Sequence, residues 1–134
     1  MRTRRGERRR CGAVAVEMAI VTPLLLTMLF GIIEFGWLFT VQSTMVNAAR
    51  EGARFGALQG VFTADVQQRV REYLLPMGLD DNVTINVTEA TDENPIVTVN
   101  LTVPRADVSL VGNFFGFVDG TLSTTASMRK EGSS

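Results

Sequence analysis

The one charged side chain inside a long apolar run lies five residues after a glycine. Glu17 interrupts the run AVAVEMAIVTPLLLTMLFGII, which covers residues 13–33. A charged group within an apolar span costs at least about 2.5 kcal/mol on insertion scales, so it usually has a partner. Cleavage after Gly12 would supply one, because the new amino group of Ala13 is largely positive at neutral pH. The spacing therefore predicts processing between Gly12 and Ala13, with Glu17 as the fifth residue of the product.

Residues 13–33 are long enough to cross a membrane as a helix. At 1.5 Å per residue these 21 residues extend about 31 Å, which matches a hydrocarbon core of about 30 Å. Pro23 would cost a helix in water about 3 kcal/mol, but membrane helices tolerate such breaks. Residues 1–12 hold six Arg and one acid. Because basic flanks stay in the cytoplasm, we predict a single-pass membrane protein with a cytoplasmic amino terminus and an extracytoplasmic carboxyl-terminal part.

Two residues are predicted to lie at the outer membrane interface. Glu34 follows Glu17 by 17 residues, about 25 Å along a helix. Its carboxylate is there either hydrated or in contact with a partner. Trp37 is the only tryptophan, and it stands where an interfacial aromatic anchor belongs. Ordinary helix packing by Trp37 is compatible with that role.

The helical pattern continues beyond the apolar run and carries a stripe of small residues. Ala49 and Ala53 are four residues apart, and so are Gly52 and Gly56 beside them. Small residues at this spacing let helices approach closely. Glycine weakens an exposed helix by up to about 1 kcal/mol. Helix propensity therefore does not explain two glycines at these positions, whereas close packing does. The alternative is that the glycines fray the end of the helix before Gly60.

A second, short amphipathic helix is predicted next. Thr63 is the expected N-cap, with Asp65 in the first turn. Apolar residues then recur at the spacing of one helical stripe, namely Val66, Val70, Tyr73 and Leu74. Pro76 and Gly78 are predicted to end this helix.

The remaining sequence changes to period two. Apolar residues alternate with Thr, Asn and Ser over residues 83–88, 97–103 and 122–128. This alternation, with many Val and Thr, predicts half-buried strands. Pro104 is expected to end the second strand. Residues 109–120, SLVGNFFGFVDG, are apolar but contain three glycines, which favours a loop.

Together these segments predict an α+β protein. A long transmembrane helix continues outside the membrane and is followed by a short helix and an antiparallel sheet of about three strands. The predicted divisions are a basic cytoplasmic leader, a transmembrane helix, a helix extension and a small extracytoplasmic α+β domain, at residues 1–12, 13–41, 42–60 and 61–134.

The composition argues against catalysis. There is no histidine, which excludes hydrolases that use a His base and zinc sites of the usual Cys/His kind. The acids outside the helices cluster in predicted turns, where solvation explains them. We therefore expect no enzyme activity, no metal and no cofactor. Nucleic acid is not an expected partner, because no aromatic residue interleaves with the amino-terminal Arg cluster and residues 42–134 are acidic.

The sequence resembles a known family at its amino-terminal end. The stretch RRRCGAVAVEMAIVTPLLLTMLFGIIEFGWLF, followed by VNAAREGARFGA, is similar to TadE-like pseudopilins of tight-adherence (Flp, type IVb) pilus systems. The resemblance covers about residues 9–60 and is weaker in the terminal TLSTTASMRKEG. In that family a prepilin peptidase removes the leader at the glycine, which corresponds here to Gly12 preceding Ala13. Many pilins have Phe where this chain has Met18.

The resemblance implies a pilin-like architecture, a location in the bacterial inner membrane, and a role as a minor component of pilus assembly, cell adhesion or secretion. Its expected partners are the prepilin peptidase, other pilins or pseudopilins, pilus-assembly proteins and membrane lipid. One alternative is an unprocessed membrane anchor that presents an extracytoplasmic binding domain; such an anchor does not need the spacing from Gly12 to Glu17. Another is a secreted protein, but the apolar run is longer than the 7 to 15 residues of a usual signal-peptide core.

Overall fold

The computed structural model describes residues 5–112, 116 and 119–132, with side chains described from Gly12 onward. The chain divides into two compact units, Met1–Phe35 and Gly36–Ser134. The α+β class, the long amino-terminal helix, the short second helix and the three-stranded antiparallel sheet are confirmed. In chain order the elements are α1 (Arg5–Gly56), α2 (Thr63–Leu74), a 3₁₀ turn (Leu75–Met77), β1 (Thr84–Thr88), β2 (Ile96–Pro104), α3 (Arg105–Val108) and β3 (Thr121–Arg129).

The second unit contains an antiparallel sheet in the order β1-β2-β3. β2 pairs with β3 along all nine residues of both strands, with Val99 opposite Ala126. β1 pairs with residues 98–102 of β2, with Asn86 opposite Asn100. Because side chains alternate along a strand, this register places most apolar residues of the three strands on one face, together with Thr124, and most polar ones on the other, together with Ile96 and Pro104.

The core of the second unit lies between the apolar face of the sheet and two helices. α1 contributes a fully buried stripe at every fourth residue, Val41, Met45, Ala49 and Ala53. α2 contributes Val66, Val70 and Leu74, and β2 contributes Val97, Val99, Leu101 and Val103. Burying each Val or Leu side chain stabilises the fold by about 1.5–3 kcal/mol. The buried apolar residues recur with a period of 3.6 in the helices and of 2 in the strands. Both patterns therefore identify the same core.

The start of α2 differs from the sequence prediction. Thr63 is the first helical residue, and Phe62 occupies the N-cap position, so the prediction of Thr63 as N-cap is wrong. The side chain of Phe62 has no acceptor for the N–H groups at the start of α2. Two carboxylates from other residues accept hydrogen bonds there instead. Asp65 accepts from the N–H of Phe62 at 3.1 Å, and Glu89 accepts from the N–H of Thr63 at 3.3 Å and from its hydroxyl. Glu89 follows β1, so a residue distant in sequence performs the capping.

Two short elements were not predicted, because they are too short to show a period. The 3₁₀ turn over Leu75–Met77 ends at Gly78, whose φ of 66° is a left-handed conformation that favours glycine. The four-residue α3 follows Pro104 directly and buries Val108. The described part of 109–120 contains no strand, as predicted, and the rest of that segment lies outside the described residues.

Two hydrogen bonds lie along the outer edge of β3, one with α1 and one with the residue that follows α1. The ladder bond from Lys130 N–H to the Pro95 carbonyl shows that even-numbered residues of β3 face β2. The odd-numbered residues therefore direct their backbone groups outward. The side-chain amide of Gln42 donates to the carbonyl of Ser123 at 3.1 Å, and the N–H of Glu131 donates to the carbonyl of Ala57 at 2.9 Å.

Candidate functional site

The amino-terminal unit presents an apolar helix surface on all sides. Ile20, Leu24 and Met28 are 71%, 69% and 64% exposed, although such side chains are normally buried. In the part of the chain that the structure describes, this is the one helix long and apolar enough to cross a membrane. A helix with an entirely apolar surface needs an apolar environment outside the chain. The structure is therefore compatible with a single-pass membrane protein.

Backbone bonding around Pro23 suits that environment. Proline lacks an N–H, so one carbonyl of the preceding turn loses its usual donor, yet α1 continues through Pro23. The hydroxyl of Thr27 donates to the carbonyl of Pro23 at 2.8 Å, and Thr40 and Thr44 bond in the same way to carbonyls four residues earlier. These three hydroxyls therefore find acceptors within the helix itself.

The predicted processing residues lie in one helical segment. Gly12, Ala13 and Glu17 belong to α1 and are exposed. Ala13 and Glu17 are four residues apart, which places them on the same face of the helix, about 6 Å apart along its axis. Of the predicted leader, residues 1–4 and all side chains before Gly12 lie outside the described residues. Cleavage at Gly12 stays a prediction.

The two predicted interfacial residues are both half-buried. The indole N–H of Trp37 donates to the carbonyl of Val108 at 2.7 Å, and the ring packs against the core of the second unit. Trp37 thus anchors the end of α3 to α1. The interfacial roles of Glu34 and Trp37 stay predictions, whereas the packing contact of Trp37 is part of the fold.

The small-residue stripe of α1 lies inside the second unit. Ala49, Gly52, Ala53 and Gly56 are all buried. A Cβ on Gly52 would lie 2.5 Å from a γ-methyl of Val70 in α2, and one on Gly56 would lie 3.0 Å from γ-methyls of Val66 and Val97. These glycines let α1 approach α2 and the sheet of its own chain.

A second feature, which the sequence analysis did not single out, is the outward face of the sheet. It consists of residues 84, 86 and 88 of β1, 96, 98, 100, 102 and 104 of β2, and 121, 123, 125, 127 and 129 of β3. Ten of these thirteen residues are Thr, Asn or Ser, and the others are Ile96, Pro104 and Arg129. The alternation along each strand was visible in the sequence, but only the register brings the three rows together.

Across the residues that the structure describes, no group of three or more His, Cys, Asp or Glu side chains is placed to hold a metal ion. Glu89 is the one described group whose pKa clearly departs from its ordinary value. Its pKa is lowered, first by the hydrogen bond from the Thr63 hydroxyl and then by the Thr63 N–H, with Lys130 adding a smaller effect.

Most of the long amino-terminal helix matches a known protein family. A family model described as TadE-like protein matches residues 12–54. No curated protein and no solved structure matches the chain. The matched segment begins at Gly12 and ends two residues before the end of α1. Residues 12–54 of the long amino-terminal helix are therefore similar to the TadE-like family, which confirms the family resemblance predicted from the sequence.

Proposed function

We propose that this chain is a minor pilin or pseudopilin that serves as a structural component in assembly of a tight-adherence (Flp, type IVb) pilus or a related secretion system. It performs no reaction and is itself the substrate of a prepilin peptidase. The observation that carries the proposal is the match to the TadE-like family at residues 12–54. This match starts at the predicted cleavage glycine and continues through the exposed apolar helix, so the family and the physical features coincide.

Cleavage between Gly12 and Ala13 gives Glu17 its partner. The new ammonium group of Ala13 and the carboxylate of Glu17 lie one helical turn apart on the same face. The pair forms within one chain, or between the ammonium of one subunit and the carboxylate of a neighbouring pilin. Either arrangement offsets the cost of a carboxylate in the apolar span. The exposed apolar surface of α1 contacts lipid before assembly and pilin helices afterwards.

The proposed location is the bacterial inner membrane, with the second unit on the extracytoplasmic side. The positive charge of residues 1–12 supports a cytoplasmic amino terminus. The second unit holds the core and the sheet, and it is available there for contacts with other assembly proteins. A role in adhesion or secretion belongs to the same proposal.

Cleavage is testable because the only thiol of the chain precedes the cleavage site. Cys11 is the one cysteine, so a chain cut after Gly12 contains none. The full chain is expressed in membranes with and without a prepilin peptidase, then labelled with a maleimide dye and weighed by intact mass spectrometry. We expect the peptidase to remove the mass of residues 1–12 and all maleimide labelling together.

A matched glycine variant controls this experiment. Gly12→Val should block the loss of mass, whereas Gly31→Val in the apolar span should be cut normally, because no described atom beyond its own helix turn lies within 4 Å of the added Cβ. If the wild-type chain stays uncut and thiol-labelled, the chain is instead an unprocessed anchor that presents the second unit as a binding domain. Glu17 would then need another partner.

A further inference from the structure

The outer edge of β1 is the second free margin of the sheet, and the register shows which backbone groups it presents. The N–H of Arg105 donates to the Gly120 carbonyl at 3.1 Å and continues the β2–β3 register. Odd-numbered residues of β2 therefore bond to β3, and even-numbered ones bond to the even-numbered residues of β1. Ile85 and Val87 consequently direct their N–H and C=O groups away from the sheet. We call these four groups the β1 edge.

The β1 edge is open, whereas the outer edge of β3 is not. Within the residues that the structure describes, no hydrogen bond reaches the outward backbone groups of Ile85 or Val87. The outer edge of β3 is bonded to the side chain of Gln42 and, through Glu131, to Ala57. Proteins commonly protect an edge strand with charged residues or proline. The sequence of β1, TINVT, contains neither, and three of its five residues are exposed.

The spacing of the groups on the β1 edge selects an extended backbone as their partner. Ile85 and Val87 each present one donor and one acceptor, and the two residues are about 7 Å apart along the strand. An extended chain repeats its own donors and acceptors at this interval, and strand addition to an open edge is a recurring mode of peptide recognition. A helix uses its N–H and C=O groups internally, so it cannot bond to the edge in this way.

Acidic residues flank the β1 edge on both sides. They are Asp80 and Asp81 before β1, and Glu89, Asp92 and Glu93 after it. Two basic residues lie close to them. Arg71 donates to the carbonyl of Asp80 at 2.7 Å, and Lys130 lies near Glu89. Acids thus outnumber bases around an uncharged strand, which favours a partner with basic residues at both ends of its strand.

The same charges disfavour pairing of β1 with a second copy of itself. In each antiparallel register that pairs the outward residues of two copies, an acid before one β1 aligns with an acid after the other. Asp81 aligns with Glu89, for example, when Ile85 stands opposite itself. Like charges placed opposite each other destabilise a pair of strands. The occupant is therefore a different protein.

We propose that the β1 edge adds a strand from another protein, namely an extended, uncharged segment with Lys or Arg at both ends. Its backbone bonds to the N–H and C=O groups of Ile85 and Val87, and its basic ends meet the acids that flank β1. The three-stranded sheet thereby gains a fourth strand beside β1. The inference concerns only the second unit, so it does not rest on the proposed pilus function.

The test measures binding of labelled peptides to the full chain in mild detergent by fluorescence anisotropy. The probe is the peptide KKTVTVTKK. One control is EETVTVTEE, and the other is the probe with N-methyl groups on its five central residues, which removes their hydrogen-bond donors. We expect the probe to bind with an apparent Kd below about 1 mM, and both controls to bind at least about tenfold more weakly.

Hydrogen exchange followed by NMR locates the bound peptide. In the free chain the amides of Ile85 and Val87 should exchange faster than that of Asn86, which bonds to β2. The probe should slow exchange at Ile85 and Val87. Equal protection of all three amides in the free chain would overturn the open edge, and binding of the probe without slower exchange at Ile85 and Val87 would overturn the assigned site.

Val87→Pro tests the edge from the side of the protein. Proline removes the outward N–H without breaking a bond to β2, as edge strands allow, and the affinity for the probe should fall at least about tenfold. The matched Val87→Ala variant keeps this N–H and should bind the probe like wild type. If Val87→Pro does not fold, as judged by circular dichroism, the N-methylated peptide and the exchange rates decide instead.

Four further outcomes would overturn the proposal. They are absence of binding by the probe, equal binding of the N-methylated peptide, equal or tighter binding of the Glu-flanked peptide, and undiminished binding by folded Val87→Pro. Self-association without peptide that slows exchange at Ile85 and Val87 would assign the edge to a second copy, which also overturns it. Cleavage by the peptidase is scored separately, so failure of this proposal leaves the pilus function untouched.

Discussion

At the scale of single residues, glycine and alanine decide how closely α1 approaches its neighbours. Spacing alone predicted close packing for Ala49, Gly52, Ala53 and Gly56, but it did not say which surface they meet. In the structure they face α2 and the sheet of the same chain. That partner was not readable from the sequence, because a small-residue stripe has the same pattern whether it meets its own chain or another.

The contact at Gly52 gives the residue-scale prediction. In Gly52→Ala the new Cβ would lie 2.5 Å from a methyl of Val70, whose branched side chain has little rotamer freedom. Overpacking costs about 1–3 kcal/mol, and the better helix propensity of Ala returns up to about 1 kcal/mol. We expect a net loss of about 1 to 2 kcal/mol in the free energy of unfolding, measured by urea denaturation in detergent.

Gly36→Ala is the control on the same helix. No described atom beyond the adjacent backbone lies within 4 Å of a Cβ at Gly36, so only the gain in helix propensity remains and stability should not fall. The combination of Gly52→Ala with Val70→Ala should show favourable coupling, because the second change removes the methyl that the first one meets. Additive effects in this double-mutant cycle would contradict the assigned contact.

At the scale of elements, periodicity predicted the helices and strands well and their ends less well. α2 and the three strands have strong periods of 3.6 and 2, and they appear where expected. The cap of α2 was missed because its acceptor, Glu89, is 26 residues from Thr63. A capping signal is sought in neighbouring residues, so a carboxylate supplied by another element leaves no local pattern.

This capping predicts a pH dependence of stability. The folded-state pKa of Glu89 is lowered from its ordinary value of 4.5, chiefly by the Thr63 hydroxyl. A lowered pKa stabilises the fold above the unfolded value, and this contribution is lost as the pH falls through the folded value. Below pH 4.5 the wild-type chain should therefore lose stability that Glu89→Gln has already lost at neutral pH.

The comparison is a set of urea unfolding curves between pH 7 and pH 3. The difference in stability between wild type and Glu89→Gln should be largest at pH 7 and shrink toward pH 3. Glu93→Gln, a change of the same kind in the turn before β2, is the matched control for the loss of one carboxylate. A constant gap between wild type and Glu89→Gln would show that the carboxylate does not carry the effect.

At the scale of the whole molecule, the two units have different requirements. All residues of the described hydrophobic core, including the partly buried ones around it, lie between Trp37 and Ala126. None of them comes from the first unit. The sequence indicated this separation through the change from a helix apolar on all sides to an amphipathic pattern, although the boundary at Phe35 required the contacts themselves.

A chain shortened to residues 36–134 should consequently fold without detergent. It keeps Trp37, Val41 and every other described core residue. We expect a monodisperse protein with cooperative thermal unfolding and a dispersed amide spectrum by NMR. A chain that starts after Met45 loses four core or core-contacting residues of α1, Trp37, Leu38, Val41 and Met45, and should not unfold cooperatively. A requirement for detergent in the longer fragment would show that the first unit takes part in the fold.

The two bonds at the outer edge of β3 have a consequence for behaviour at high concentration. An exposed strand edge is a template on which other chains add strands and aggregate. Here Gln42 and Ala57 occupy outward-facing groups near the two ends of β3. An incoming strand would first have to break both bonds. Strand addition at the β3 edge is therefore disfavoured even when the protein is concentrated.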